Sequence, residues 1–401
     1  MKELPYDYVF DFSDFRTHQV YDPNYEERDR LAAGGVLLTR GLGNALSLEG
    51  EASGLTGRIV NDNAANAPGG DYQDTKLDNS RWTGALRARA GGGASIQTVA
   101  GGEYREDRVK RDDDAQFGGF NAGPTHVKET IHTRALYVQT HADLGAHAVA
   151  DAGIRLEDHS LYGSYGVPRV AAAWSLPVGG LRVRAGYGRA FTAPTLTDLY
   201  YPGYGSPTLR PERSSTVEGG VDGHWLDGRI EARATWYRTN FIDLIASNSF
   251  FVAANVGRAR IEGKEASARL HLTRRLTLGL RAANLPVAKD LVTGTRLAKR
   301  PRWRTGADLD WIAFPSIRLF GGWRWSDSFR DPFNFVGVSG RFLDGDTPGY
   351  AALDIGAAVT PARWPVALHL RLDNALDRDI AEVKGLPARG RAFSVGLDVT
   401  P

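Results

Sequence analysis

Aromatic side chains are concentrated in one long segment, residues 189–218, which is also rich in proline and glycine. Tyr200, Tyr201 and Tyr204 lie close together near its centre. Such side chains can pack against a large planar ligand or against each other. Long connections between strands are usually functional or disordered, and the tyrosines here favour order. We therefore predict either a ligand-contacting surface or packing that keeps the segment folded.

Two other connecting segments carry pairs of phenylalanines that would extend such a surface. These further candidate ligand-binding residues are Phe250, Phe251, Phe333 and Phe335. They can act together with the tyrosines only if the elements that carry the three segments bring them to the same side of the fold.

Carboxylates form the second group of candidate residues, and several lie in the polar segment 58–75. Asp62, Asp71 and Asp74 offer the hard oxygen ligands that calcium takes. Their spacing is not that of a known calcium loop, and a solvated acidic loop has the same composition. We expect no cofactor other than a calcium ion at these three residues, and the solvated loop is the simpler interpretation.

Signatures of an enzyme are absent from the sequence. The nine histidines are scattered, without the paired spacing that holds zinc. No nucleophile motif stands in a strand-to-helix context. The chain contains no cysteine, and its net charge of +2 implies no nucleic-acid partner. We therefore predict that the protein is not an enzyme and has no catalytic residues.

Polar and apolar residues alternate through most of the chain, which predicts strands. Leu278 and Leu280, for example, alternate with Gly279 and Arg281. Strands recur roughly eighteen times, with short turns alternating with long polar loops. No run of about eighteen apolar residues occurs, which argues against a transmembrane helix. The pattern predicts an all-β protein, an antiparallel transmembrane β-barrel.

The same alternation predicts what each face of the barrel contacts. An apolar face would lie against lipid and a charged face would line a polar lumen. In the alternative, a soluble sandwich, the apolar face would be the core. Charged residues of the polar face include Arg182, Arg184, Arg233, Arg269 and Arg281. Residues 58–75 and 111–126 are predicted to be polar loops, and residues 5–16 one further strand with its exit loop.

Three stretches in the C-terminal half resemble signatures of the TonB-dependent outer-membrane receptors, particularly those of the cobalamin and haem/siderophore branch. The first resembles the family pattern FxAPTLxxLY followed by GSPxLxPExS, the second N(V/I)GRARIxG, and the third a DNxxD turn followed by GRxF. The residues that carry the resemblance are Phe191, Ala193, Pro194, Tyr200, Gly205, Pro207, Leu209, Pro211, Glu212, Ser214, Asn255, Gly257, Arg258, Glu262, Gly263, Asp373, Asn374, Asp377, Gly390, Arg391 and Phe393.

The resemblance implies a location in the outer membrane and uptake of a large scarce nutrient. Cobalamin is the first expectation, with an iron–siderophore or haem next, and cobalamin receptors also carry a calcium-binding acidic loop. Family barrels have about twenty-two strands, a plug domain and a TonB box, and are monomeric. A passive barrel or a surface-binding module without TonB coupling is the alternative function.

The two ends of the sequence depart from the family pattern. The first ten residues contain no apolar stretch of the kind that a secretion signal has. We expect residues 1–401 to be a barrel domain truncated at its N-terminus, with the plug and the first strands missing. TonB would then act only through that plug segment. A sheet lacking strands would have two open edges, which are costly in lipid.

Overall fold

The structure is a computed structural model that describes most of the 401 residues. The described residues are 7–11, 16–20, 25–64, 72–117, 120–121, 124–201, 203–247, 252–255, 257–336, 341–361, 365–383 and 386–399. Among them, no helix is long and apolar enough to cross a membrane. Strands dominate the described residues, as the alternation of the sequence predicts.

The strands of the first half of the chain are β1 (Asp7–Asp11), β2 (Arg16–Val20), β3 (Tyr25–Leu42), β4 (Leu46–Asn63), β5 (Tyr72–Ala90), β6 (Ile96–Phe117), β7 (Phe120–Asn121), β8 (Thr125–Leu144), β9 (Ala148–His159), β10 (Gly163–Ser175), β11 (Leu181–Thr192), β12 (Glu212–Trp225) and β13 (Ile230–Ile242). One short helix, α1 (Leu196–Tyr200), lies between β11 and β12. The remaining strands are β14 (Ile245–Ser247), β15 (Ala253–Asn255), β16 (Arg258–Thr273), β17 (Leu276–Asp290), β18 (Trp303–Phe314), β19 (Ile317–Ser326), β20 (Phe329–Val336), β21 (Arg341–Thr347), β22 (Tyr350–Val359), β23 (Val366–Asp373), β24 (Ala381–Val383), β25 (Leu386–Pro387) and β26 (Ala392–Val399).

Most of these strands form one closed barrel in which chain neighbours pair antiparallel. In the described part of the chain, eighteen segments belong to the ring, and one of them, β7, is a two-residue stretch paired only with β6. The other seventeen span the barrel wall, close to the roughly eighteen strands predicted. Because seventeen is odd, β3 and β26 run in the same direction where the ring closes. The predicted all-β antiparallel barrel is confirmed.

Several predicted boundaries were wrong, all near the ends of strands. The segments 58–75 and 111–126 were predicted to be loops, but β4, β5, β6 and β8 extend into them. Residues 5–16 were predicted to form one strand with an exit loop. Instead β1 pairs with β2 in a separate two-stranded sheet. The remaining strands that were placed from the alternation match within a few residues.

The barrel wall separates apolar from charged side chains as the alternation predicts. Large apolar residues point outwards, and Leu136 and Leu156 are 67% and 54% exposed. Arginines and carboxylates of neighbouring strands pair on the inner face. Examples are Arg155 with Glu103 at 3.2 Å and Arg184 with Asp222 at 3.3 Å. This exposure of large apolar side chains requires an apolar solvent, which a lipid bilayer provides.

Candidate ligand-binding site at the barrel mouth

The segment between β11 and β12 is a folded unit that begins with α1. Thr195 caps the helix: its hydroxyl accepts a hydrogen bond from the Asp198 N–H, and the Asp198 carboxylate accepts one from the Thr195 N–H. Such a reciprocal box satisfies two donors at the start of a helix and stabilises it by about 1 kcal/mol. A helix of five residues is not stable alone. It therefore depends on packing against its neighbours.

That packing comes from the next long connection, between β13 and β16. Leu199 of α1, Leu209 and Ala253 of β15 are almost fully buried together, and Tyr200, Tyr204 and Ile245 pack around them. The Ala253 N–H donates to the Tyr204 carbonyl at 2.7 Å. The two connections thus share one small apolar core above the barrel wall.

A polar network joins the same two connections. Asp243 is 6% exposed and accepts hydrogen bonds from Arg210 at 2.6 Å and from Arg213 at 3.3 Å. Asn255 donates to the carbonyls of Arg210 and Asp243, and its amide oxygen accepts from the Arg210 N–H. The backbone of Asp243 has a φ of 58°, a conformation that aspartate tolerates better than most residues. These residues hold the mouth in one geometry.

The three predicted tyrosines have different environments. Tyr200 and Tyr204 are half-buried in the shared core, and the Tyr204 hydroxyl donates to Asp198 at 3.4 Å. Burial raises the pKa of the Tyr200 phenol, so this side chain stays protonated at neutral pH. Both residues therefore fit the packing interpretation. Tyr201 is 43% exposed, the most exposed of the three, and therefore fits a ligand contact best.

Arg111 of β6 lies over the exposed ring of Tyr201. The guanidinium carbon is 4.4 Å from the ring centroid, within the range of a cation–π interaction. Asp113, 6% exposed, accepts from Arg111 at 2.9 Å and from the Thr75 hydroxyl at 2.7 Å, and so fixes the arginine. The prediction from sequence missed Arg111 because it was placed in a loop, where the alternation of β6 was not followed.

A further tyrosine, Tyr162, lies in the turn between β9 and β10 and was also missed. Burial raises its pKa to about 12, and the neighbouring Tyr200, Tyr165 and Asp198 act in the same direction. Its ring centroid is 5.1 Å from that of His159. Tyr162 therefore extends the aromatic surface that supports Tyr200. Its sequence neighbourhood gave no signal beyond the presence of a tyrosine in a turn.

The predicted calcium ligands are only partly brought together. Asp62 and Asp74 lie directly opposite each other on β4 and β5, and Asp71 lies outside the described residues. Asp74 pairs with Lys76 at 3.3 Å. Among the residues that the structure describes, no group of three His, Cys, Asp or Glu side chains is arranged to hold a metal ion. The calcium site therefore stays a prediction, and no arrangement of ligands among the described residues supports it.

None of the four predicted phenylalanines has a side chain among those that the structure describes. Phe250 and Phe251 lie outside the described residues. Phe333 and Phe335 belong to β20, which pairs with β21 in a two-stranded sheet above the barrel. Only their backbone placement is described. All four stay predicted ligand contacts.

The C-terminal signature also forms a turn, as its residue types predict. Asn374 is 3% exposed with a φ of 48°. Its amide donates to the Arg378 carbonyl, and its side-chain oxygen accepts from the Arg378 N–H. The Arg391 N–H donates to Asp377 at 3.0 Å. These signature residues stabilise a connection, which agrees with the structural role predicted for them.

Comparison with known proteins identifies the family. The family described as "TonB dependent receptor-like, beta-barrel" matches residues 3–375. Among solved structures, the copper transporter OprC is similar at a TM-score of 0.76 and 17% identity, over 94% of this chain and 66% of that one. The siderophore receptor PirA from Acinetobacter baumannii is similar at a TM-score of 0.71 and 16% identity, over 92% and 62%.

A variant of the ferric enterobactin receptor PfeA from Pseudomonas aeruginosa is similar at a TM-score of 0.66 and 17% identity, over 93% of this chain and 69% of that one. At these identities the likeness shows the fold alone. The chain spans about two thirds of the length of these structures. Nothing in these comparisons is specific to cobalamin receptors.

The family match covers most of the chain and agrees with the closed barrel, the apolar outer wall and the charged lumen. The predictions of an outer-membrane location and of a protein that is not an enzyme are confirmed with it. This chain belongs to the family of TonB-dependent receptor β-barrels.

Proposed function

We propose that this barrel is part of a receptor that captures an iron–siderophore complex at its extracellular mouth. The observation that carries the proposal is the stacking of Arg111 on the exposed ring of Tyr201. A guanidinium beside an aromatic face suits a ligand that is both anionic and aromatic, as ferric catecholates are. Uptake through the lumen, driven by TonB, is the family's mode of action and forms the second part of the proposal.

Other charges at the mouth support an anionic ligand. Arg210 and Arg213 flank the same connection, with side chains that are 67% and 52% exposed although both contact Asp243. Each guanidinium has more donors than its contacts to one carboxylate require. A ligand with peripheral carboxylate or phenolate oxygens would therefore meet two exposed guanidiniums at the mouth, in addition to the Arg111–Tyr201 pair.

Cobalamin and haem are weaker candidates for this surface. The expectation of cobalamin came from the family resemblance and was supported by the acidic segment. In that segment Asp62 lies opposite Asp74, but no group of three described carboxylates is arranged to hold calcium. Haem uptake commonly uses an accessible histidine or tyrosinate as an iron ligand. The raised pKa of Tyr200 disfavours its phenolate, and the pKa of Tyr162 is about 12. Both ligands are retained as comparators in the experiment.

The experiment is a binding titration with the purified chain folded in detergent. Ferric catecholate and hydroxamate siderophores, haem and cyanocobalamin are compared by quenching of intrinsic fluorescence. We expect the catecholate complex to bind most tightly. Tyr201→Ala should weaken it roughly 3- to 30-fold, the range from an exposed to a desolvated cation–π contact. Tyr201→Phe should retain most of the affinity because the ring remains.

Arg111→Gln should resemble Tyr201→Ala. The matched control is Arg275→Gln, which removes a cation from the short turn between β16 and β17 at the opposite end of the barrel. Unchanged affinity in both Tyr201→Ala and Arg111→Gln would refute the site. Failure of the folded chain to bind any of the four ligands would refute capture by this chain and favour the passive barrel.

A further inference from the structure

A wide concave surface lies on the outer wall of the barrel, away from the mouth. It is a groove of about 1160 Å³ across β3 to β10. Register places glycines and leucines in one outward-facing row: Gly50 is opposite Leu86, Leu86 opposite Gly102, and Gly102 opposite Leu136. The leucine side chains lie over the neighbouring glycines. Because the glycines carry no side chain, the outer surface is lower at their positions than around them, and this depression is the groove.

The next outward-facing row marks the upper end of the groove. It contains Ala52, Gly84, Tyr104 and Arg134 in register, and Asp158 of β9 lies opposite Arg134. A Cβ atom built at Gly84 would have no heavy atom within 4 Å, so this position opens into the groove. The groove is almost entirely apolar below this row, and Arg134 stands at its upper rim.

Aromatic residues sit directly above the groove on the same face. Trp82 is 57% exposed and Tyr104 is 40% exposed. The Tyr104 hydroxyl lies 2.8 Å from Nδ1 of His132. Exposed Trp and Tyr side chains at one height of an outer-membrane barrel mark the level of the lipid headgroups. The groove therefore lies at the depth of the acyl chains of the outer leaflet.

Basic residues continue the same face above the aromatic level. Arg108 is four residues beyond Tyr104 on β6, about 14 Å along the strand. The row above it contains Arg30, Arg58, Lys110 and Lys128 in register across β3, β4, β6 and β8, with Asp78 on β5. Four cations and one carboxylate in one row give a net positive strip at headgroup height.

Part of this charge is compensated only weakly. Arg58 pairs with Asp78 at 2.7 Å, Lys110 with Asp112 at 3.3 Å and Arg108 with Glu106 at 2.5 Å. All of these side chains except that of Glu106 are at least 40% exposed. Exposed pairs of this kind contribute little and leave donors available. Arg30, Lys128 and Arg134 have no ion pair among the residues that the structure describes. A phosphate with several oxygens could bind these donors in place of solvent.

We propose that this outer wall binds a phosphorylated, multiply acylated glycolipid of the outer leaflet, of the lipid A type. An acyl chain occupies the groove between Leu86 and Leu136. The phosphates contact Arg134 and Arg108 and then the strip of Arg58, Lys110 and Lys128. Charge complementarity selects this lipid over a zwitterionic one, and the adjoining groove selects a lipid over free phosphate.

The test measures lipid binding to the folded 401-residue chain in a neutral detergent by native mass spectrometry. The probes are bisphosphorylated lipid A, its dephosphorylated form, phosphatidylethanolamine and inorganic phosphate. We expect retention of bisphosphorylated lipid A and at least a roughly tenfold preference over its dephosphorylated form. Equal retention of all lipids, or saturation by inorganic phosphate alone, would overturn the proposal.

Two variants separate the groove from the charges. Gly84→Leu fills the groove without a steric clash and should reduce lipid A retention without altering the preference for phosphate. Arg108→Gln combined with Arg134→Gln should reduce the preference for phosphate several-fold, since the strip of Arg58, Lys110 and Lys128 remains. The matched controls on the opposite wall are Gly219→Leu, where a Cβ atom would meet no heavy atom closer than 3.9 Å, and Arg238→Gln, which removes an exposed, ion-paired arginine.

Heat-modifiable migration on a gel confirms that each variant is folded before binding is measured. Binding by both groove and charge variants at the level of the controls would overturn the proposal. An equal loss in the opposite-wall controls would also overturn it, since binding would then be a general property of the outer surface.

Discussion

Replacement of Asp243 by alanine should open the mouth while leaving the barrel intact. The carboxylate accepts two charge-assisted hydrogen bonds from Arg210 and Arg213 in a site that is 6% exposed. Bonds of this class contribute about 1.5–3 kcal/mol each when buried. Both arginines are more than half exposed at their side chains, which reduces that value through solvent screening. We expect a loss of about 2–3 kcal/mol in the stability of the folded connection.

Part of any effect of Asp243→Ala comes from the backbone, since alanine disfavours a φ of 58°. Asp227 provides the matched control because it has a φ of 53° in the exposed turn between β12 and β13. Asp227→Ala incurs the same backbone cost without losing contacts to arginine. The difference between the two variants therefore isolates the polar network.

Hydrogen exchange of the folded chain in detergent measures the effect residue by residue. A loss of 2–3 kcal/mol corresponds to exchange about 30- to 150-fold faster in the connections 193–211 and 243–257. Exchange in β5 and β6 should not change. Equal exchange of the mouth in Asp243→Ala and Asp227→Ala would refute the view that the arginine contacts hold it.

Three further predictions concern the mouth, the outer wall and the closure of the ring. A Cβ atom at Gly205 would lie 2.6 Å from the Tyr201 backbone nitrogen. Gly205→Ala should therefore lower the affinity for ligand and raise the protease sensitivity of the mouth. The control Gly322→Ala, where a Cβ atom would meet no heavy atom within 4 Å, should do neither. Leu136→Arg places a charge on the lipid-facing wall and should lower the free energy of unfolding by about 2–4 kcal/mol, measured by urea titration of the chain in lipid bilayers. Val178→Arg, in a turn, should change it little. An equal loss of stability in both variants would contradict the assignment of Leu136 to the lipid-facing wall. β3 and β26 are exposed along almost their whole length and meet as the one parallel pair of the described ring. Parallel pairing is slightly less stable than antiparallel pairing, so their amides should exchange faster than those of β6, and uniform protection around the ring would contradict this.

The strands and their faces could be read from the sequence because alternation has a direct physical cause. Lipid outside and polar lumen inside impose opposite preferences on successive residues. Leu280 and Arg281 therefore reveal their faces without any knowledge of the fold. The signal disappeared where strands extend above the bilayer, since both faces of the wall there meet water. This is why the upper ends of β4 and β5, and of β6 and β8, were taken for loops.

The structural role of the signature residues was also predictable, because residue type constrains backbone geometry. Asn374 in a turn with positive φ is the clearest case. The sequence could not separate packing from ligand contact for the tyrosines. Tyr200 and Tyr204 enter a core completed by Ala253 and Ile245, which come from the next connection. Their exposure is decided by how two distant loops fold together.

The sequence by itself determined the class of fold, the membrane setting and the family, since each depends on local periodicity or short motifs. Only the tertiary structure decided which side chains meet. Arg111 and Tyr201 are separated in the chain by four complete wall strands, β8 to β11, and are brought together by the curvature of the closed ring. The outer groove likewise depends on register, because a shift of one residue between β4 and β5 would remove Gly50 from the face of Leu86. Contacts across strands are set by pairing, which periodicity along one strand does not encode.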